Sequence, residues 1–315
     1  MLISASRRTD IPSCYSEWFY HRLKEGYVCV RNPMNPHQIS KISLSPEIVD
    51  GIVFWTKNPL PMMDRLGELE KYNYYFQFTL TAYGPEVETN LPSKNKVLIP
   101  AFQRLSKEIG KERVVWRYDP IFFSERYTLD YHCRYFEVLA SRLAPYTEKC
   151  TISFLDWYRN IEHDVKPLQI QTMTGERQTE LVERLAEIAE RYRISIDTCA
   201  EAGDFRRFKV FPACCIDKAR LERIGNYRLD IGKDKNQREY CGCAESIDIG
   251  AYQTCKNGCL YCYANFNHGA AERNFEKHII KSPLLFGEIE EADKITERNV
   301  KSFADRQLVL HGIEG

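Results

Sequence analysis

Short apolar segments alternate with amphipathic segments along most of the chain. The apolar segments are rich in β-branched and aromatic residues, as is typical of buried strands, and they lie at 2–6, 51–56, 74–81, 113–118, 150–155 and 194–199. The segments between them repeat hydrophobic residues at helical spacing, most regularly over 178–192. Buried strands that are separated by helices indicate parallel βαβ units.

Six such units predict an α/β fold, a partial (β/α)6 barrel of the TIM type, over residues 1–200. Single α/β barrels of ~250 residues are common, so a chain of this length suits one barrel with an appendage. We expect the loop-rich residues 201–265 to form a cysteine-rich iron–sulfur segment packed on the barrel mouth. Residues 266–315, with the stretches 276–290 and 297–310, look like a charged, partly helical tail.

The overall charge argues against a dominant phosphate-binding surface. The chain has 44 basic and 44 acidic residues and a net charge of zero, so nucleic acid as a partner is neither indicated nor excluded. The first residues show no charged lead followed by a long apolar run, and no apolar run approaches the ~18 residues of a membrane span. We therefore expect a cytoplasmic protein without a membrane segment.

Cysteine is unevenly distributed, with eight of the 12 cysteines between residues 199 and 262. Such clustering without a secretion signal favours metal ligation over disulfides. Cys255, Cys259 and Cys262 have the spacing C-x3-C-x2-C, and Tyr261 precedes the last of them. Three thiolates can hold three corners of a cubic 4Fe–4S cluster and leave the fourth iron open. Gly258 suits a tight turn around such a cluster.

This motif resembles the signature of the radical SAM superfamily, C-x3-C-x-aromatic-C. More closely, the chain resembles an uncharacterised bacterial family with such a cysteine cluster at its C-terminal end, over residues 4–10 to 262–264. The stretches 56–59 and 117–121 also weakly resemble spore photoproduct lyase-like enzymes. In radical SAM proteins the motif usually follows the first strand, whereas here it follows the sixth predicted strand.

The resemblance implies a radical SAM enzyme. Its 4Fe–4S cluster would bind S-adenosyl-L-methionine (SAM) and cleave it reductively to a 5′-deoxyadenosyl radical that acts on an unknown substrate. It also implies a low-potential electron donor such as a flavodoxin or ferredoxin.

Polar residues follow every predicted strand, at the end where α/β barrels carry their chemistry. We interpret seven of them as candidate catalytic residues: Arg7, Arg8, Asp10, Lys57, Asp156, Tyr158 and Glu201. Arg117 stands between aromatic residues and two positions before Asp119, which predicts a positioned ion pair able to grip the SAM carboxylate. By the resemblance, Thr79 and Thr81 would contact the SAM ribose, and Tyr261 would belong to the cofactor site.

A second metal site is predicted from Cys199, Cys241, Cys243 and either Cys214 or Cys215, with Cys215 preferred. Four thiolates can ligate a second iron–sulfur cluster or close a tetrahedral zinc site, or the cysteines can be free and buried. We expect the scattered Cys14, Cys29, Cys133 and Cys150 to be structural.

Two alternative functions follow from other readings of the same residues. In the first, the protein is a zinc-binding structural or interaction protein, and the cysteine segment only stabilises its fold. A barrel hydrolase would hold a divalent metal on Asp10, Asp119 and Glu201, although the chain has only seven histidines, none paired at ligand spacing.

Overall fold

The computed structural model describes residues 1–305. Its strands, in chain order, are β1 (Leu2–Ala5), β2 (Tyr27–Arg31), β3 (Gln38–Ser43), β4 (Gly51–Thr56), β5 (Tyr74–Thr79), β6 (Val114–Ile121), β7 (Lys149–Phe154), β8 (Ser195–Thr198), β9 (Phe211–Pro212), β10 (Arg228–Leu229), β11 (Ile247–Asp248), β12 (Lys294–Glu297) and β13 (Ala304–Asp305).

The α-helices are α1 (Ile11–Cys14), α2 (Ser16–Glu25), α3 (Leu60–Met63), α4 (Ile99–Ile109), α5 (Leu129–Leu143), α6 (Glu162–Val165), α7 (Gly175–Arg191), α8 (Lys218–Gly225) and α9 (His268–Glu276). Single turns of 3-10 helix lie at Leu66–Leu69, Lys111–Arg113, Ala144–Tyr146, Arg159–Ile161, Lys166–Leu168 and Arg206–Phe208, and a π-turn lies at Lys94–Leu98. Within residues 1–305, none of these helices combines the length and the apolar character needed to cross a membrane.

Eight strands form one sheet in the order β11, β1, β4, β5, β6, β7, β8, β9, and all neighbours are parallel. The six central strands are the six predicted from the apolar segments, and they stand side by side in chain order. The prediction of a parallel α/β fold is therefore confirmed. The sheet ends at β11 on one side and β9 on the other, so it does not close into a barrel within the described residues.

Residues 201–265 are built into this sheet and do not form a separate appendage. Strand β9 extends the sheet beyond β8, and β11 extends it beyond β1 at the opposite edge. Asp248 of β11 accepts hydrogen bonds from the Ser4 and Ser6 hydroxyls, at 2.9 and 2.6 Å. The cysteine-rich segment thus runs from one edge of the sheet to the other.

The tail is partly helical, but its helix α9 ends where the stretch 276–290 begins. The described remainder of the two stretches named above contains turns and strands. Strand β12 pairs in parallel with β3, which pairs antiparallel with β2, and β13 pairs with β10. Residues 306–310 of the second stretch lie outside the described residues.

The main core fills the space between the sheet and the helices α4, α5 and α7. Phe136 of α5 stacks on Trp116 of β6, with ring centroids 4.8 Å apart. The indole Nε1 of Trp116 also donates to the Leu80 carbonyl at 2.9 Å, and the side chain is fully buried. Packing and hydrogen bonding therefore fix the same ring.

His132 of α5 is a buried histidine that is held neutral. Its Nε2 lies 2.9 Å from the Phe122 carbonyl oxygen and its Nδ1 lies 2.9 Å from the Tyr118 hydroxyl. Because a carbonyl oxygen only accepts, Nε2 carries the proton and Nδ1 accepts from Tyr118. Burial lowers the pKa of His132 from 6.5 to about 4.

We expect Trp116→Phe to lower the free energy of unfolding by about 1–3 kcal/mol, because the buried Leu80 carbonyl loses its indole donor. Urea unfolding measures this loss. The same change at Trp157, which is 56% exposed, is the matched control and should alter stability by less than ~0.5 kcal/mol. Equal effects at the two positions would contradict the role given to Trp116.

We expect His132→Gln to make stability less sensitive to acid. The unfolded imidazole gains a proton near pH 6.5, whereas the folded one gains it only near pH 4, so acidification through this window favours the unfolded state. The shift corresponds to about 3 kcal/mol of stability lost by pH 4. Urea unfolding between pH 4 and 7 should show a shallower decline in the variant.

The control for this measurement is His163→Gln, because the His163 side chain is fully exposed. That variant should keep the pH dependence of the unmodified protein. The same slope in all three proteins would show that His132 does not carry the effect.

Candidate functional site

A cavity of about 580 Å³ lies at the carboxyl ends of the central strands. Most of the residues predicted to be catalytic or cofactor-binding line it: Arg7, Arg8, Asp10, Lys57, Thr79, Arg117, Asp119, Asp156, Tyr158 and Tyr261. All seven cysteines predicted to bind metal also line it: Cys199, Cys215, Cys241, Cys243, Cys255, Cys259 and Cys262. Thr81 and Glu201 do not belong to the cavity wall.

The motif that contains Cys255, Cys259 and Cys262 forms a tight loop against the residues that follow β5. Cys259 makes an antiparallel bridge with Glu88, and the Thr89 amide donates to the Gly258 carbonyl at 3.2 Å. Gly258 has a φ of +66°, and an added Cβ would collide with the Thr89 side chain. The expected role of Gly258 in the turn is therefore confirmed. The loop can approach the strand ends closely because this position has no side chain.

Glu88 is the buried centre of this contact, and no pattern in the sequence singles it out. Its Oε1 accepts from Lys57 Nζ at 2.8 Å and from Thr81 Oγ1 at 3.0 Å, and also from the Tyr261 hydroxyl. Lys94 Nζ makes an ion pair with Oε2 at 2.5 Å. Burial alone would raise the pKa of Glu88, but the two lysines outweigh it and bring the pKa to about 2. Glu88 is therefore ionised and holds Tyr261 of the motif in place.

Asp10 holds the motif from the other side. One carboxylate oxygen caps α1 by accepting from the Ser13 amide at 2.9 Å. The other accepts from the Lys57 amide at 2.7 Å and from Asn257 Nδ2 at 2.8 Å. Burial raises the pKa of Asp10, although these donors oppose the shift. The bonds give Asp10 a positioning role, and its predicted catalytic role stays a prediction.

Arg117 and Asp119 form the ion pair that their spacing predicted. Arg117 Nε lies 2.9 Å from Asp119 Oδ1, and Nη2 lies 2.5 Å from Oδ2. Arg117 Nη1 also donates to Cys215 Sγ at 2.8 Å. Arg7 faces the Trp55 ring as Arg117 does, and its buried Nη2 has no hydrogen-bond partner. The unused donor on this wall of the cavity belongs to Arg7.

Asp156 and Tyr158 follow β7 and line the cavity, and Arg8 lies over the Tyr252 ring, 5.2 Å from its centroid. Arg238, which the sequence did not single out, pairs with Asp156, and the Tyr158 hydroxyl lies 3.4 Å from the same carboxylate. Glu201 does not line the cavity and accepts from the Phe154 amide at 2.8 Å. Burial raises the pKa of Glu201 to about 7. Asp156 is therefore a paired carboxylate, and Glu201 fixes the end of β7.

The second group of cysteines also meets at the cavity, and the structure distinguishes between two neighbours that the sequence left open. Cys215 lies on the wall with Cys199, and their sulfur atoms are 3.2 Å apart. Cys214 is not part of the wall. Cys241 and Cys243 approach from the segment that precedes β11, and contact with Cys243 lowers the pKa of Cys241 to about 7.

Cys14, expected to be a structural residue, lies against the motif. Its thiol contacts Cys255, although it does not line the cavity. The two residues are far apart in the sequence, and no local pattern links them. Cys14 is therefore a neighbour of the Cys255–Cys262 motif that the spacing of the cysteines could not reveal.

The Cys, His, Asp and Glu side chains at the cavity can be compared with the ligand sets that metal ions and clusters require. Within residues 1–305 no group of three or more His, Cys, Asp or Glu side chains is placed to hold one metal ion. Asp10, Asp119 and Glu201 are each held by different donors, so the arrangement does not favour the metal-dependent hydrolase. An iron–sulfur cluster is larger than one ion and takes thiolate ligands. The three motif thiols on one cavity wall suit such a cluster in number and softness.

One family model, described as "Domain of unknown function (DUF1848)", matches residues 2–264. The matched range includes the complete main sheet and ends just after the motif. It confirms the expected uncharacterised family, whereas the position of cysteines in that family and the link to the radical SAM superfamily stay predictions. No curated protein matches this sequence. Since the match covers most of its length, the chain belongs to the DUF1848 family.

Proposed function

We propose that this protein is a radical SAM enzyme in which Cys255, Cys259 and Cys262 hold a 4Fe–4S cluster. The observation that carries the proposal is the position of the motif. Its three cysteines line a cavity at the carboxyl ends of parallel strands, where α/β proteins bind their ligands. A motif that only stabilised the fold would not need to face the polar residues that follow the strands. When bound, the cluster and SAM would supply a 5′-deoxyadenosyl radical by one-electron cleavage of the sulfonium.

The motif follows the sixth central strand here, but its position in space does not depend on that order. Strand β11 carries the chain back to β1, the strand after which the motif usually stands in the superfamily. The Lys57–Glu88–Tyr261 contacts then hold the loop over the neighbouring strand ends. The chain-order arrangement of the six central strands supports the finer proposal of a partial barrel.

Arg7 is better placed than Arg117 to bind the carboxylate of SAM or of a substrate. Three N–H groups of Arg117 already donate hydrogen bonds to Asp119 and Cys215. Arg7 Nη2, by contrast, is buried at the cavity and has no hydrogen-bond partner. An arginine with a free donor can bind a carboxylate without breaking another ion pair. Thr79, at the end of β5 and on the wall, remains the proposed ribose contact. Thr81 donates to Glu88 and supports the motif.

Lys57 is a positioning residue in this proposal. Its ammonium group is committed to Glu88 and Tyr261, and Glu88 raises the pKa of Lys57 above its ordinary value in spite of burial. A lysine that stays charged cannot act as a base, but its positive charge lies close to Cys259. It can thereby stabilise the thiolate that metal ligation requires. The electron donor in this proposal is a low-potential protein such as a flavodoxin or ferredoxin.

We expect anaerobically reconstituted protein, given dithionite and SAM, to produce 5′-deoxyadenosine. Cys259→Ala should reduce the product to the level without protein and lower the bound iron, because the cluster loses one of three ligands. Chromatography of the nucleoside products and an iron assay measure both effects. Cys29→Ala is the matched control, since Cys29 packs between Ile39 and Leu284 away from the cavity, and it should behave like the unmodified protein.

Equal amounts of 5′-deoxyadenosine from the Cys259→Ala variant and the unmodified protein would overturn the proposal. The absence of product from the unmodified protein, with a full complement of iron and sulfide bound, would do the same.

We expect Cys14→Ser to keep both its iron and its 5′-deoxyadenosine production. Cys14 contacts Cys255 from outside the cavity wall, so we assign it no metal ligand role. If Cys14 were the fourth ligand, the cluster would have no open iron for SAM. Loss of iron in this variant to the same extent as in Cys259→Ala would therefore contradict an open three-cysteine site.

A further inference from the structure

The cavity has a second group of sulfur atoms, which the proposed function does not use. Cys199 follows β8, Cys215 follows β9, and Cys241 and Cys243 precede β11. Cys215 Sγ lies 3.2 Å from Cys199 Sγ. Cys215 also contacts the Cys243 thiol, which in turn contacts Cys241. Four thiols from three separate parts of the chain therefore form one continuous group.

Backbone hydrogen bonds fix each of these parts against its neighbours. The Cys199 amide donates to the Ile152 carbonyl at 2.8 Å, and the Cys241 amide donates to the Arg238 carbonyl at 2.9 Å. The Ile216 amide, next to Cys215, donates to Cys243 Sγ at 3.3 Å. The convergence of the thiols is thus built into the backbone and does not depend on exposed, freely rotating side chains.

Gly242 allows the Cys-Gly-Cys turn to approach the segment after β9 that carries Cys215. An added Cβ at Gly242 would lie 2.7 Å from Cys214 Sγ and 3.3 Å from the Ala213 carbonyl oxygen. Any side chain at this position would push Cys241 and Cys243 away from the other two thiols. The close approach is possible because this position has no side chain, as at Gly258 in the first motif.

Two arginine side chains contact this group of four thiols. Arg117 Nη1 donates to Cys215 Sγ at 2.8 Å, and the Arg7 guanidinium contacts the Cys243 thiol. A charged donor strengthens a hydrogen bond most when the acceptor is an anion. Two guanidinium groups therefore lie against the four sulfur atoms and would offset part of the negative charge of metal-bound thiolates.

We propose that Cys199, Cys215, Cys241 and Cys243 bind a second iron–sulfur cluster that the protein ligates at all four corners. Zinc and an iron–sulfur cluster both accept four thiolates, so the choice between them rests on position. These thiols line the same cavity as the first motif, which favours a second cluster over a separate structural zinc site.

Binding requires the four thiols to lose their protons and to separate. Sulfur atoms 3.2 Å apart, as in Cys199 and Cys215, are closer together than ligands on different irons of one cluster. Rotation of the side chains about χ1 provides the separation while the fixed backbone stays in place. The assembly of one [4Fe–4S]2+ cluster consumes ferrous and ferric iron in equal amounts together with sulfide, and it releases the thiol protons.

The test reconstitutes the full chain anaerobically with ferrous iron, ferric iron and sulfide and measures iron, sulfide and zinc per chain. The unmodified protein should bind about eight irons and eight sulfides, as two [4Fe–4S] clusters. The triple variant Cys255→Ala, Cys259→Ala, Cys262→Ala should keep about four irons. Since the triple variant lacks the proposed SAM site, iron retained there supports the second cluster whether or not the radical SAM proposal holds.

The reciprocal variant is Cys215→Ala with Cys243→Ala, which should bind about four irons and retain an electron paramagnetic resonance signal that changes when SAM is added. The matched control is Cys214→Ala, the neighbour of Cys215 that does not line the cavity, and it should bind about eight irons. Circular dichroism establishes that each variant is folded.

Two results would overturn the second cluster. One is a folded triple variant that binds no iron. The other is an unmodified protein that holds about four irons together with one tightly bound zinc ion, which would make the second group a zinc site.

Discussion

The buried carboxylate of Glu88 is the interaction on which the arrangement of the cavity depends. It lies between the ammonium groups of Lys57 and Lys94 and accepts a hydrogen bond from the Tyr261 hydroxyl. A buried charge that loses its partner costs several kcal/mol, so these groups stabilise the fold only as a set. The set joins the ends of β4 and β5 to the cysteine motif. The motif is thereby fixed relative to the sheet by electrostatics as well as by the backbone bridge at Cys259.

The cysteine-rich segment also forms both edges of the open sheet. A parallel sheet that does not close leaves two edge strands with unpaired backbone groups. Here the segment supplies the last strand at each edge, β9 and β11, and crosses the mouth of the cavity between them. Asp248 ties the β11 edge to β1 through Ser4, Ser6 and the Arg7 amide. One stretch of chain therefore covers both edges and carries both groups of thiols.

The sequence predicted the six central strands because short apolar segments that are separated by helical segments are typical of a parallel sheet buried on both faces. Strand β3, with the sequence QISKIS, was missed because polar residues separate its isoleucines, although Ile39 and Ile42 are both buried, one on each face. The Arg117–Asp119 ion pair was predictable because its partners are two residues apart. Glu88 was not, since Lys57 and Tyr261 lie 31 and 173 residues away from it. The choice between Cys214 and Cys215 likewise depends on which of two adjacent side chains after β9 faces the cavity, and composition carries no such information.

Arg7 connects the two groups of thiols through one residue. Its carbonyl accepts from the Tyr263 hydroxyl at 3.0 Å, next to Cys262, while its guanidinium contacts Cys243. The same residue therefore supports the surroundings of both groups, one through its backbone and the other through its charged side chain. The two groups of thiols do not have independent surroundings, and a substitution of Arg7 would disturb both.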